Sequence, residues 1–175
     1  MRPTRTIPDR TAELPVISDS TAVLSLRRPW GRSLVGPRGS RGGGTKTVEN
    51  RKSYPPFFGW FLVLSSAAAP KKAEIEEVKR ILLSEDGNLD RLCGSGEPQS
   101  VLGWILVSDA YEGSRGDPWE HADDVHWKVT DSIAFAVPVP RIRGVQSLYR
   151  FVRSMSADER GRLLAQAPVA ESLNP

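Results

Sequence analysis

Within six positions the chain places Lys46, Glu49, Asn50 and Arg51, a cation, a carboxylate, an amide and a second cation. A carboxylate and an amide can accept and donate along the edge of a nucleobase, and cations can meet phosphate. Arg27 and Arg28, followed by Trp30, again set cations beside an aromatic ring, and Trp119 and Trp127 offer further flat surfaces. Stacking surface, directed polar groups and cations are what recognition of an unpaired base requires. The same residues also have plain structural uses. Side chains two apart on a strand share a face, so Glu49 and Arg51 equally suit an ion pair that locks a turn. Trp30 shares a helix face with Leu34 and suits core packing, which leaves Trp119, beside Pro118 in an acidic loop, as the better stacking platform.

Lys46 and Glu49 are also the candidate catalytic pair if the chain is an enzyme. A lysine works as a base only where burial or a neighbouring cation lowers its pKa, and a nearby carboxylate opposes that. The glycines before Lys46 lack P-loop spacing and the following Ser or Thr, which argues against nucleotide hydrolysis. His121, Asp123, Asp124 and His126 are metal ligands by type, yet their spacing matches no helix-borne pair, so no metal and no cofactor is expected. Cys93 is the only cysteine and has no histidine nearby in sequence.

The chemistry must be carried by one compact domain. The chain has 175 residues with no internal repeat, and 39% hydrophobic and 26% charged residues are ordinary for a folded protein. Its longest apolar run, Gly59 to Ala69, is too short to cross a bilayer. No apolar stretch with a cleavage site follows the N-terminal arginines, and a lone cysteine fits a reducing compartment, so a cytoplasmic protein without membrane association is expected. Residues 1–55 hold eleven Lys or Arg against four Asp or Glu, a charge of +7 in a chain of +3, and the remainder carries −4. That asymmetry suggests a basic surface facing a phosphate-bearing partner, or a tail that only aids solubility.

Residues 1–20 carry three prolines and no periodicity, and read as a mobile arm. A strand is expected over Ala22 to Arg27, then a short helix from Pro29 to Val35 with proline at its first position. Gly36 to Gly44, with five glycines and two arginines, reads as a flexible basic loop leading to Lys46 to Arg51. The apolar run from Trp60 to Leu64 predicts a central strand, and Ile75, Val78, Ile81 and Leu82 predict a surface helix over Lys71 to Ser84. Val101 to Val107 is a second buried strand, Glu112 to Asp124 an acidic loop, and Lys128 to Val139 a strand whose end Pro138 and Pro140 place at a sheet edge. A strand over Val145 to Val152 follows, and Ser156 with Glu159 forms a capping box for a helix over Ala157 to Gln166. Short strands with two to three helices predict an α+β fold, a small partly closed barrel, with a domain over 21–153 and a helix and tail over 154–175.

Ser25-Leu26-Arg27-Arg28-Pro29-Trp30, then Lys46-Thr47-Val48-Glu49-Asn50-Arg51, then the strand Gly59 to Ser65 resemble the ASCH family in kind and in order. The second half is similar too: Val101 to Asp109, Pro118-Trp119, His126-Trp127, and Pro138-Val139-Pro140 leading to Arg143-Gly144. The resemblance covers roughly 22–152. It implies a PUA-like β-barrel that binds RNA, single-stranded nucleic acid or a modified nucleoside through Arg27, Arg28, Trp30, Lys46, Glu49, Asn50, Arg51 and Trp119. One branch of the family hydrolyses the amide of acylated cytidine with a lysine, a threonine three positions later and a distant glutamate. Lys46 falls on that lysine, but Glu49 stands at the threonine position. The leading expectation is therefore a binding module. The alternatives are a small hydrolase, either a nucleoside amidohydrolase or a ribonuclease, and a protein-interaction module that uses the arm and the terminal helix.

Overall fold

A computed structural model describes residues 6–13, 15–18, 20–66, 68–82, 99–140 and 155–166. Among them are five strands, β1 (Val23–Leu26), β2 (Val48–Arg51), β3 (Gly59–Ser65), β4 (Ser100–Glu112) and β5 (Val125–Pro140). Three helices accompany them, α1 (Trp30–Val35), α2 (Lys72–Leu82) and α3 (Ala157–Leu164). The fold is α+β, with one five-stranded mixed sheet in the order β1-β3-β4-β5-β2. β3, β4 and β5 are antiparallel neighbours, β1 lies parallel to β3, and β2 lies antiparallel to β5. No backbone ladder joins β1 to β2 among the described residues, so the sheet is not closed into a barrel by pairing.

β3 is continuously apolar because both of its faces are covered. Phe61 and Val63 join Leu24, Leu26, Leu34, Ile105 and Trp127 in one core, beneath α1. Leu62 and Leu64 join Val23, Trp104, Phe135 and Leu163 in the other, beneath α3. Full burial of each such side chain contributes about 1.5–3 kcal/mol. Gly103 permits the close approach of β4 to β5. Its φ is +149°, and a Cβ there would sit 2.1 Å from the Ile133 carbonyl oxygen.

The ladder between β4 and β5 passes from Gly103↔Ala134 to Val101↔Val139, so β5 bulges over the stretch that contains Pro138. Pro138 thus falls in an interruption of the pairing, as its missing donor requires, whereas Pro140 stands opposite Ser100 in the ladder, so pairing resumes to the end of the strand. α3 has the expected box: Ser156 Oγ accepts from the Glu159 amide at 3.2 Å, and Glu159 Oε2 accepts from the Ser156 amide at 2.8 Å. Pro29 occupies the N-cap of α1 rather than its first helical position. The expected strand over Val145 to Val152 lies outside the described residues.

Two segments are more ordered than their composition predicts. Part of the arm docks at Pro8 and Arg10: the Phe58 amide donates to the Pro8 carbonyl and the Arg10 amide to the Phe58 carbonyl, both at 2.8 Å. The Arg10 guanidinium lies 5.1 Å from the centroid of the Phe57 ring. The glycine-rich loop runs along β5, with the Gly42 amide on the Ser132 carbonyl at 2.7 Å and the Ala134 amide on the Ser40 carbonyl at 2.8 Å. Gly44 is held so close to α1 that a Cβ would lie 2.0 Å from the Leu34 carbonyl oxygen. That contact fixes the loop's exit and the start of the segment carrying Lys46.

Candidate nucleic-acid interface

Lys46 leaves the glycine loop with its amide bonded to the Ser33 carbonyl of α1 at 2.9 Å. Its side chain turns inward and is 4% exposed, and Glu49 is 5% exposed. Lys46 Nζ donates to Glu49 Oε2 at 2.8 Å and to the Val48 carbonyl. Glu49 Oε1 lies 3.0 Å from Arg51 Nε, so one buried carboxylate is shared by two cations. The expected Glu49–Arg51 ion pair therefore exists within a triad. Breaking a buried pair on one side typically costs about 3–5 kcal/mol, because the remaining charge is left uncompensated.

Arg51 reaches across the end of the sheet. Its guanidinium carbon sits 6.0 Å from the centroid of the Trp127 ring, and its NH2 group donates to the Ser25 carbonyl of β1 at 3.4 Å. Trp127 packs on Phe61 and donates its indole N–H to the Ser53 carbonyl at 2.8 Å, so it serves the core and anchors the turn after β2. Trp30 meets Trp119 edge to face, with centroids 6.3 Å apart, and Lys46 Nζ lies 5.7 Å from the Trp30 centroid.

Trp119 is not the exposed platform its loop suggests. It is 3% exposed, packed with Val48 and with Val78 and Ile81 of α2, and its indole N–H donates to the Thr45 carbonyl at 3.0 Å. Trp30 is the more accessible of the two rings. Asn50 does not present its amide to solvent either. Its Nδ2 donates to the Trp119 carbonyl at 2.7 Å, while its Oδ1 accepts from the His121 amide at 3.1 Å and lies 2.9 Å from His126 Nδ1. Of the remaining expected residues, Arg28 is buried with its Nε on the Ser66 carbonyl at 3.4 Å. Arg27 is exposed, 3.9 Å from Glu74 of α2.

The loop that delivers Trp119 is held by two carboxylates. Asp117 accepts from the Trp119 amide at 2.9 Å and from the Thr47 hydroxyl. Glu120 accepts from the Tyr111 phenol at 2.8 Å, the Ser114 hydroxyl, and the Arg115 and Gly116 amides. Burial acts to raise the Glu120 pKa, but these donors together outweigh it and hold the carboxyl at about 2. Burial, reinforced by the hydrogen bond to Glu120, pushes Tyr111 up to about 12. His121 bonds Glu77 of α2 and stands 4.0 Å from Asp124. Among the described residues no three His, Cys, Asp or Glu side chains gather into a metal-binding group, and no helix is long and apolar enough to cross a membrane.

Lys46, Glu49, Asn50, Arg51, Trp30 and Trp119 thus come together, with Arg27 and Ser25 at the rim. No protein-family model matches the chain, and no curated protein is detectably similar to it. Sequence reasoning missed Asp117 and Glu120 as loop clamps and His126 as a partner of Asn50. Ser114-Arg115-Gly116-Asp117, with Glu120 close behind, is the stretch whose composition signals a turn.

Proposed function

We propose that the chain binds RNA or a modified nucleobase at the opening between β1 and β2, on a partly closed PUA-like barrel. The observation that carries this reading is the hydrogen bond from Arg51 to the Ser25 carbonyl. In a flat sheet of this order the two edge strands would stand four strand spacings apart, roughly 19 Å. A single side chain bridges them here, which supports a sheet curled toward a barrel with its mouth at β1 and β2. Two of the segments that resemble the ASCH family, Ser25 to Trp30 and Lys46 to Arg51, are joined by that bond, and Trp30, Arg27 and Arg51 supply the ring and the cations that base and phosphate contacts need.

In this reading Lys46 and Glu49 form the floor of the site. They hydrogen-bond each other and are almost fully buried, an arrangement that suits positioning Arg51 better than attacking a substrate. A cytoplasmic location accords with the lone cysteine. The test is fluorescence anisotropy with labelled single-stranded RNA, duplex RNA and DNA at two salt concentrations. Arg27→Ala with Arg51→Ala should weaken binding and flatten its salt dependence, since each lost phosphate contact removes counterion release. Absence of binding to every nucleic acid at low salt would sink the proposal.

A further inference from the structure

Tyr54 is 43% accessible and is the most exposed aromatic side chain among the described residues. It follows Ser53, whose carbonyl is held by the Trp127 indole N–H at 2.8 Å. Arg51 lies over that same Trp127 ring and bonds the Ser25 carbonyl. Ser25 and Arg27 are exposed on either side of the buried Leu26, so Arg27 stands two residues beyond the carbonyl that Arg51 bonds, and Tyr54 follows three residues after Arg51, a stretch we call the lip of the mouth. The interior behind the lip is occupied by its own bonds. Lys46, Glu49 and Trp119 are buried, and both ends of the Asn50 amide are engaged.

Resting on the binding function proposed above, we infer that the occupant is a single-stranded segment of at least two nucleotides, with one base stacked on Tyr54 and the adjoining phosphate on Arg27 and Arg51. A free nucleoside would have to enter the bonded interior to gain comparable contacts, whereas a strand can lie along the lip without breaking any of them. A duplex keeps its base faces covered by stacking and has none to offer Tyr54. The neighbouring cation Lys52 is paired to Asp124 at 2.6 Å, while Arg27 has only a 3.9 Å contact with Glu74 that a phosphate can displace. RNA and DNA share the required chemistry, a π-face and a phosphodiester.

The test uses the full chain, labelled ten-nucleotide uridine and deoxyuridine strands, a ten-base-pair RNA duplex, and uridine monophosphate as competitor. Tyr54→Ala should lose roughly tenfold in affinity for the single strands, and Tyr54→Phe should restore it, with the salt slope the same in both. The two strands binding alike, or either one better, supports the lip, and their ratio identifies the sugar preferred. Unchanged binding by Tyr54→Ala would overturn this inference and leave the binding function standing. Duplex or monophosphate binding as tight as the single strands would overturn it too. If no nucleic acid binds the unaltered protein, the underlying function falls and the lip with it.

Discussion

Arg51 of β2 donates to the main-chain carbonyl of Ser25 in β1, joining the two edge strands of one sheet through a side chain instead of a ladder. The same guanidinium faces Glu49 and the Trp127 ring, so it ties the sheet edge to the buried charge and to the core. Arg51→Ala should lower stability by about 1 kcal/mol, the sum of a long hydrogen bond and a partly exposed ion pair. The loss should be local: amide hydrogen exchange in Val23 to Leu26 should accelerate more than in Phe61 to Leu64. Equal acceleration in both would mean that the bridge does not hold β1.

Lys46 and Glu49 should behave as a pair. Lys46→Met alone leaves Glu49 buried with only Arg51 to compensate it, and urea unfolding should report a loss of about 3–5 kcal/mol. Combining it with Glu49→Leu should recover much of that loss, because two apolar side chains of similar size need no partner. Additive losses would mean that the two groups are not coupled in the folded protein.

The elements that bury their own apolar pattern were legible from sequence; those that depend on distant partners were not. Trp60 to Leu64 read as a central strand because both faces are apolar, and the α3 box read from Ser156 and Glu159 alone. Trp119 misled because its neighbours are acidic and suggest solvent, while what buries it comes from Thr45 and from Val78 and Ile81, each far away in sequence. The contacts made by part of the arm were hidden for the same reason. Its prolines prevent regular structure, yet Pro8 and Arg10 find backbone partners at Phe58. The cluster at Lys46, Glu49 and Arg51 was visible as residue types, whereas the use of Asn50 as an internal clamp requires His121 and His126 to be brought beside it.

Asn50→Asp tests that clamp with almost no change of shape. The substitution removes the donor to the Trp119 carbonyl and sets a carboxylate oxygen against it, at a cost of about 1–3 kcal/mol. Trp119 should gain solvent contact, seen as a red shift of tryptophan emission and easier acrylamide quenching. A Trp119→Phe background should remove most of that change. An unchanged spectrum would place the clamp elsewhere.

Acid should release the loop before it unfolds the sheet. The Glu120 carboxyl is held at about 2 against 4.5 for an unstrained glutamate, so its ionised form is favoured by folding. The stabilisation it gives is fully present above pH 4.5 and is lost as pH falls toward 2. Because Glu120 is only partly buried and its donors lie in its own loop, the effect should be confined to the segment from Ser114 to Trp119 and to the Tyr111 phenol that donates to it. Chemical shifts of the Arg115 and Gly116 amides should titrate across that window, and Glu120→Gln should abolish the titration while leaving the sheet amides unmoved. A midpoint near 4.5 for those amides would show that the four donors do not act together on the carboxylate.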